Sequence, residues 1–266
     1  MKTWRLIALE TYNAFMNMAI DEAILTARID NLIPNTIRFY QWFPNAISIG
    51  KNQNLQDQVY PDALRKFGVD VVRRTSGGGT VYHDSTGEIT FSITAKTSDL
   101  GSDVTAVYTK IYTSITDSLR LLGIPADFID SDGKNCPNLT VYGKKISGSA
   151  QTVKGKFIQQ HGTLLLNVNI DRMFELLRLE RLDRELATKI GKRKITSIKN
   201  ELKHDISNST VINALTQGFK AILKINIETN GLTPYEKALA KKLCDTKFST
   251  AKWNSKTCFT SSRSTI

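Results

Sequence analysis

The order of predicted elements makes this 266-residue chain an α+β protein, a mixed β-sheet flanked by helices. Three observations carry that expectation. Strand and helix patterns mix without the regular alternation of a doubly wound parallel sheet. Two amphipathic stretches, 104–122 and 209–223, bracket a strand-rich middle. Hydrophobic residues make up 41% of the chain against 23% charged, enough to bury a sizeable core and too many for a disordered chain.

Residues 13–26 (NAFMNMAIDEAILT) place Met16, Ile20, Ala23 and Ile24 on one face and predict a helix. Residues 38–40 and 46–49 read as strands around a Pro44–Asn45 turn, the second ended by Gly50. A short helix at 60–67 closes at Gly68, and 69–72 and 88–95 are strands. In the longest predicted helix, 104–122, Val107, Tyr108, Ile111, Ile115, Leu119 and Leu122 share a face, and Gly123 stops it. The KNCP run at 134–137 reads as a loop, and 139–142 and 145–147 flank Gly143 as a hairpin. A strand at 157–168, a helix at 171–177 and a heavily charged segment at 180–194 follow. The helix at 209–223 takes Ser209 or Thr210 as its N-cap. Residues 1–256 are expected to form one large domain, with 257–266 a loose polar tail and no C-terminal accessory domain.

No apolar run approaches the roughly 18–20 residues of a membrane helix, and residues 1–10 lack the layout of a signal peptide; a cytoplasmic chain is expected. Cys136, Cys244 and Cys258 cannot pair evenly and no CxxC occurs, which argues against a disulfide framework or a cysteine-built zinc site. His83, His161 and His204 lie far apart, without HExxH, so a protein-built metal cage is not expected. Residues 1–100 carry ten basic and ten acidic side chains, so the whole net charge of +11 resides in 101–266. That asymmetry calls for an anionic partner at the C-terminal half.

Three segments carry chemistry. In RRTSGGGTVYHD, at 73–84, three glycines leave backbone N–H groups uncovered and two arginines add fixed positive charge. Neither a Walker A loop nor GxGxxG is present, and a bare triple glycine is equally at home in a turn. In NCPNLTVYGKKISGSAQ, at 135–151, Lys144 or Lys145 stands beside a run of small residues, where an ammonium can neutralise a phosphate or carboxylate. QQHGTLLL, at 159–166, reads by itself as core strand with His161 a satisfied structural residue.

Together with MNMAIDEAIL at 16–25, IRFYQWFPNAISIGKNQN at 37–54 and KFSTAKWN at 247–254, these segments resemble the lipoate–protein ligase A family. The resemblance implies a class II aminoacyl-tRNA synthetase/biotin synthetase-like catalytic domain and an ATP-dependent lipoate–protein ligase. Such an enzyme activates lipoate, or octanoate, to an acyl-adenylate. It then passes the acyl group to a lysine of a lipoyl domain, such as glycine cleavage H protein or a 2-oxoacid dehydrogenase E2 subunit. Lys145 would be catalytic, half of a buried Lys–Arg pair with Arg74. Arg73, Arg74, Ser76, Gly77, Gly78, Gly79, Thr80, Val81, Tyr82, His83, Lys145, Ser147 and Gly148 would bind nucleotide and lipoyl group. Mg²⁺ would sit mainly on the ATP phosphates, near Asn138, which replaces the usual aspartate. Some relatives carry a further domain on a separate polypeptide, so an accessory protein is a candidate partner.

The same resemblance opens a second reading. Related octanoyltransferases use a loop cysteine ahead of the lysine to hold an acyl-thioester, without ATP; here that residue is Cys136. The basic run KIGKRK at 189–194 has no interleaved aromatics and no helix-turn-helix precedes it, so solvated charge or the docking of an acidic acceptor domain is expected rather than nucleic acid.

Overall fold

The computed structural model describes residues 1–129 and 137–256. Its first half holds β1 (Thr3–Tyr12), α1 (Ala14–Ile29), β2 (Thr36–Trp42), β3 (Ala46–Ile49), α2 (Pro61–Phe67), β4 (Asp70–Arg73), β5 (Val81–His83), β6 (Glu88–Lys96) and α3 (Val104–Leu121). Then come β7 (Ala126–Ile129), β8 (Asn138–Val141), β9 (Lys144–Lys154), β10 (Phe157–Leu165), α4 (Ile170–Leu176), α5 (Arg184–Lys194), α6 (Ile198–Leu202) and α7 (Asn208–Leu223). The last elements are β11 (Asn226–Thr229), α8 (Pro234–Leu243) and α9 (Ala251–Asn254). No described helix is long and apolar enough to cross a membrane.

Eight strands form one sheet in the order β11-β1-β2-β6-β10-β9-β8-β7, and β4-β3-β5 form a second. Both are mixed: β1 runs parallel to β2 and β11, the other pairs of the large sheet are antiparallel, and β3 is parallel to β4 but antiparallel to β5. The expected mixed sheet flanked by helices is the fold observed.

Strand periodicity divides the core. Ile37 and Phe39 of β2 and Ile89, Phe91 and Ile93 of β6 face α3 and α7, packing on Ile111, Ile115, Leu215 and Phe219. The intervening Arg38, Tyr40 and Trp42 turn to the other face, where α1 and α8 cover Tyr40 and Trp42 with Met18, Ile20, Ile24 and Ala240. A third cluster joins the small sheet, through Ile47, Ile49 and Tyr82, to Met173, Phe174 and Leu177.

The predicted helices form with small changes of boundary. Asn13 caps α1 by accepting from the Met16 N–H, and α3 stops before Gly123, whose φ is +78°. The cap of α7 is a correction: Ser207, not Ser209 or Thr210, accepts from the Thr210 N–H at 3.1 Å. Ser207 has the extended backbone an N-cap requires, whereas the two expected residues already lie inside the helix. β1 carries apolar side chains on both faces and so lacks the alternation that announces a strand. It is anchored to α8 by the buried Arg5, which donates to both carboxylate oxygens of Glu236 at 2.5 and 2.8 Å.

Candidate active site

A cavity of about 300 Å³ lies between the polar face of the large sheet and the small sheet, at the lower end of the roughly 300–1,000 Å³ usual for small-molecule sites. Strand pairing builds its floor. Tyr40 pairs with Thr90, Thr90 with Thr163, and Thr163 with Gly148, so four neighbouring strands each put one residue in a single row. Residues two apart share a face, so His161 and its partner Ala150 form the next row. All six line the cavity. Met173 and Phe174 of α4, with Leu177 and Leu179 just beyond it, supply an apolar wall.

The glycine-rich segment forms the opposite wall. Gly78 has φ +84°, a conformation glycine adopts without strain, and its carbonyl lies where a Cβ on Gly50 would sit, 2.1 Å away. Arg74 is buried beneath it. Its Nη2 donates to the Gly77 and Gly79 carbonyls, both at 2.8 Å, and its Nη1 to the Ser48 carbonyl at 2.7 Å. Arg74 lines the cavity, and these bonds hold the glycine loop around its guanidinium.

Arg74 also organises two buried relays. Its Nη1 donates to Ser48 Oγ at 2.9 Å and its Nε to Ser76 Oγ at 3.3 Å. Each hydroxyl then hydrogen-bonds onward to an imidazole, Ser48 Oγ with His83 Nε2 and Ser76 Oγ with His161 Nε2, both at 2.7 Å. On the far side His83 Nδ1 meets Glu88 Oε1 at 2.7 Å, and His161 Nδ1 meets Asp21 Oδ2 at 3.3 Å. In both relays the imidazole Nδ1–H donates to the carboxylate. Ser48 and Ser76 are 0% and 1% exposed, with oxygens already engaged on both sides, so neither serves as a nucleophile despite the Ser-His-carboxylate order. The relays instead pin the glycine loop to the sheet.

Burial holds the His161 imidazole below its ordinary value of 6.5, although Asp21 pulls the other way. Burial would also raise Asp21, but the hydrogen bonds and charges of His161 and Arg38 bring its carboxyl below 3.8. Arg38 donates to Asp21 Oδ1 at 2.8 Å and stacks on the Tyr40 ring, its guanidinium carbon 4.0 Å from the centroid. Trp42 stacks on His83 with ring centroids 3.9 Å apart.

Lys145 reaches the cavity from β9, an exposed residue rather than the buried one expected. Its ammonium passes directly over Gly148: a Cβ there would stand 2.7 Å from Lys145 Nζ and 3.3 Å from Asn138 Oδ1. The small-residue run is therefore the space the lysine needs. A bulge between Leu139 and Thr140 offsets β8 against β9, pairing Asn138 with Gly148 and Thr140 with Lys145.

Of the other expected residues, Gly78, Gly79, Thr80, Val81, Tyr82 and His83 line the cavity, as do Asn138 and Gly148. Ser76, Gly77 and Ser147 do not. Arg73 is a correction. It is wholly buried and points away, donating to the carbonyls of Gly50, Gln53, Trp253, Asn254 and Lys256. Adjacent strand residues face opposite sides, so two consecutive arginines cannot both reach one cavity. Cys136 and Cys258 lie outside the described residues. Among the described residues no three His, Cys, Asp or Glu side chains gather as a metal site.

Sequence reasoning read His161 as a satisfied structural residue, which its two partners bear out, and passed over Tyr40, Trp42, Thr90, Thr163 and the wall from α4. One signal was present. β6 alternates apolar residues with the buried Thr90, Ser92 and Thr94, and β10 carries Gln159, Gln160, His161 and Thr163, all buried. A polar strand face that is nevertheless buried marks a site or a network.

The profile of the lipoyl protein ligase A/B catalytic domain matches residues 13–220, which span the glycine loop, both relays and Lys145. The chain belongs to this family. Among the relatives of this lipoyl ligase A/B chain is octanoyltransferase LipM of Brevibacillus brevis, 32% identical over 96% of this chain and 99% of the relative. Octanoyltransferase LipM of Halalkalibacterium halodurans is 34% identical with the same coverage. Among solved structures, a bi-partite lipoate protein ligase from Thermoplasma acidophilum superposes with a TM-score of 0.82 at 28% identity, covering 96% of each chain. A lipoate-protein ligase A bound with ATP gives 0.82 at 27%, covering 96% of this chain and 99% of that one.

The full-length transferase relatives overturn the expectation of an ATP-dependent lipoate–protein ligase and favour its alternative, octanoyl transfer. The ligase structures share the backbone, and a shared backbone does not choose between two chemistries built on it.

Proposed function

We propose that this chain is an octanoyltransferase that moves an eight-carbon acyl group from a thioester donor to a lysine of a lipoyl-domain protein. The observation that carries this reading is the match, at 30–34% identity, to octanoyltransferases over 94–96% of the chain. The site supports it: the apolar wall of Met173, Phe174 and Leu177 suits an alkyl chain, and Lys145 lines the same cavity.

In this reading Cys136 is the nucleophile. Its thiolate attacks the donor carbonyl, a new C–S bond forms, and the donor C–S bond breaks to release the donor thiolate, which takes up the proton the Cys136 thiol gave up. The acceptor lysine amine then attacks the enzyme thioester, giving an amide and returning the proton and free thiol to Cys136. The Lys145 ammonium opposes the negative charge that develops on the carbonyl oxygen in both steps. A thioester is already activated, so the scheme needs no adenylate.

The test is intact mass after incubation with an octanoyl-carrier protein in the absence of ATP. We expect a gain of one octanoyl group, labile to hydroxylamine, that is lost in Cys136→Ser and in Lys145→Ala with the fold retained. A chain that gains no octanoyl group, or gains it equally in Cys136→Ser, overturns the reading.

A further inference from the structure

Helix α5 exposes a mixed stripe that the folded core leaves uncovered. Leu186 is 46% exposed and Ile190 38%, and with Lys189 and Arg193 they occupy positions i, i+3, i+4 and i+7, one face of a helix. Residues 178–194 carry seven basic and three acidic side chains. Three of the basic ones have local partners: Arg184 with Asp62, Lys189 with Glu185 and Lys192 with Asp171. Among the described residues Arg193 and Lys194 pair with no carboxylate.

The helix that carries the stripe stands beside the cavity. At the C-terminal end of α5, Ile195 bridges to Lys145, and Thr196 N–H donates to the Lys145 carbonyl at 2.9 Å. Ahead of its N-terminal end, Leu179 lines the cavity and is itself 36% exposed. Between them α5 packs on the cavity wall through Gly191, where a Cβ would come within 2.2 Å of the Phe174 ring.

We infer that this face of α5 docks an acidic protein domain that carries the acyl group as a thioester. Charge complementarity selects an acidic partner, since the surplus positive charge of the chain lies in this half. The apolar residues select the donor over the acceptor. The donor must pass an eight-carbon chain from its own surface to the wall of Met173 and Phe174, and Leu186, Ile190 and Leu179 keep that passage apolar. An acceptor presents only a lysine and has no use for such a passage. The inference rests on the octanoyl-transfer reading.

The experiment compares loading of the full chain from an octanoyl-carrier protein and from octanoyl-CoA, by intact mass, for wild type, Leu186→Ser/Ile190→Ser and Lys189→Glu/Arg193→Glu. Thermal melts confirm that both variants fold. Loading from the carrier should fall about tenfold or more in each variant, while in the charge variant loading from octanoyl-CoA stays within about twofold. The carrier reaction of wild type should also slow as salt is raised, with a shallower dependence in the charge variant. Unchanged carrier loading in both variants overturns the inference alone, while the transferase reading stands. So does an equal loss with both donors in the charge variant. Normal loading with slower release to a lipoyl domain would assign the face to the acceptor, and loss of RNA retention alone would assign it to nucleic acid; either refutes the proposal. A wild type that loads from neither donor removes the transferase reading and this inference with it.

Discussion

Lys145 and Gly148 show how one missing carbon can hold a site. Gly148 lies across from Asn138 in the strand register, and the ammonium occupies the space a side chain would fill. Gly148→Ala should therefore displace Lys145 Nζ while leaving the sheet intact, since the far end of an exposed lysine moves at little cost. A displacement of about 1 Å in a catalytic group can lower the rate up to about a hundredfold. Octanoyl loading and transfer should fall by that order with the melting temperature nearly unchanged. Full activity in Gly148→Ala would remove this account of the small-residue run. The run itself was legible in the sequence and the resemblance had already singled out Lys145; the pairing of β8 and β9 added how that lysine comes to lie over Gly148.

At the scale of elements, Arg73 is the informative case. An arginine beside a glycine-rich loop reads as an anion ligand, yet its donors hold the carbonyls of Trp253, Asn254 and Lys256, clamping α9 against β4. Arg73→Ala would leave several buried carbonyls unpartnered, a loss of about 3 kcal/mol or more. Denaturant unfolding should show that loss, while the variant retains octanoyl loading at low temperature. Loading abolished with stability unchanged would place Arg73 in the chemistry after all. The cap of α7 gives a second test. Ser207→Ala should cost about 1 kcal/mol and Ser209→Ala a few tenths at most; equal costs would contradict the capping geometry. Both helix and cap chemistry were readable in the sequence, and only the register of the cap was not.

Across the whole molecule, the buried polar face of the large sheet ties stability to pH. His161 is held below 6.5 by burial, so between 6.5 and its lowered value the unfolded chain binds more protons than the folded one. Stability should therefore decline as pH falls through 6.5. Asp21 is held below 3.8, so its contribution is present above that value and is lost as pH falls through the lower folded one. Urea unfolding across pH should show acid loss in two stages. His161→Gln, which keeps hydrogen-bonding capacity, should remove the first stage; a curve unchanged by that substitution would refute the assignment.

The sequence by itself determined the class of fold, the long helices, the hairpin about Gly143 and the family, because these rest on local periodicity and on contiguous motifs. It pointed to Lys145 and to residues 78–83 for the same reason. Tertiary structure decided the rest. Tyr40, Thr90, Thr163 and Gly148 are more than a hundred residues apart from end to end, and become neighbours only because β2, β6, β10 and β9 pair in one register. Asp21, Ser76 and His161 meet by the same route, and Arg73 parts from Arg74 because a strand turns successive side chains to opposite faces. Strand pairing between distant segments is a property of the folded sheet, and no local pattern in the chain encodes it.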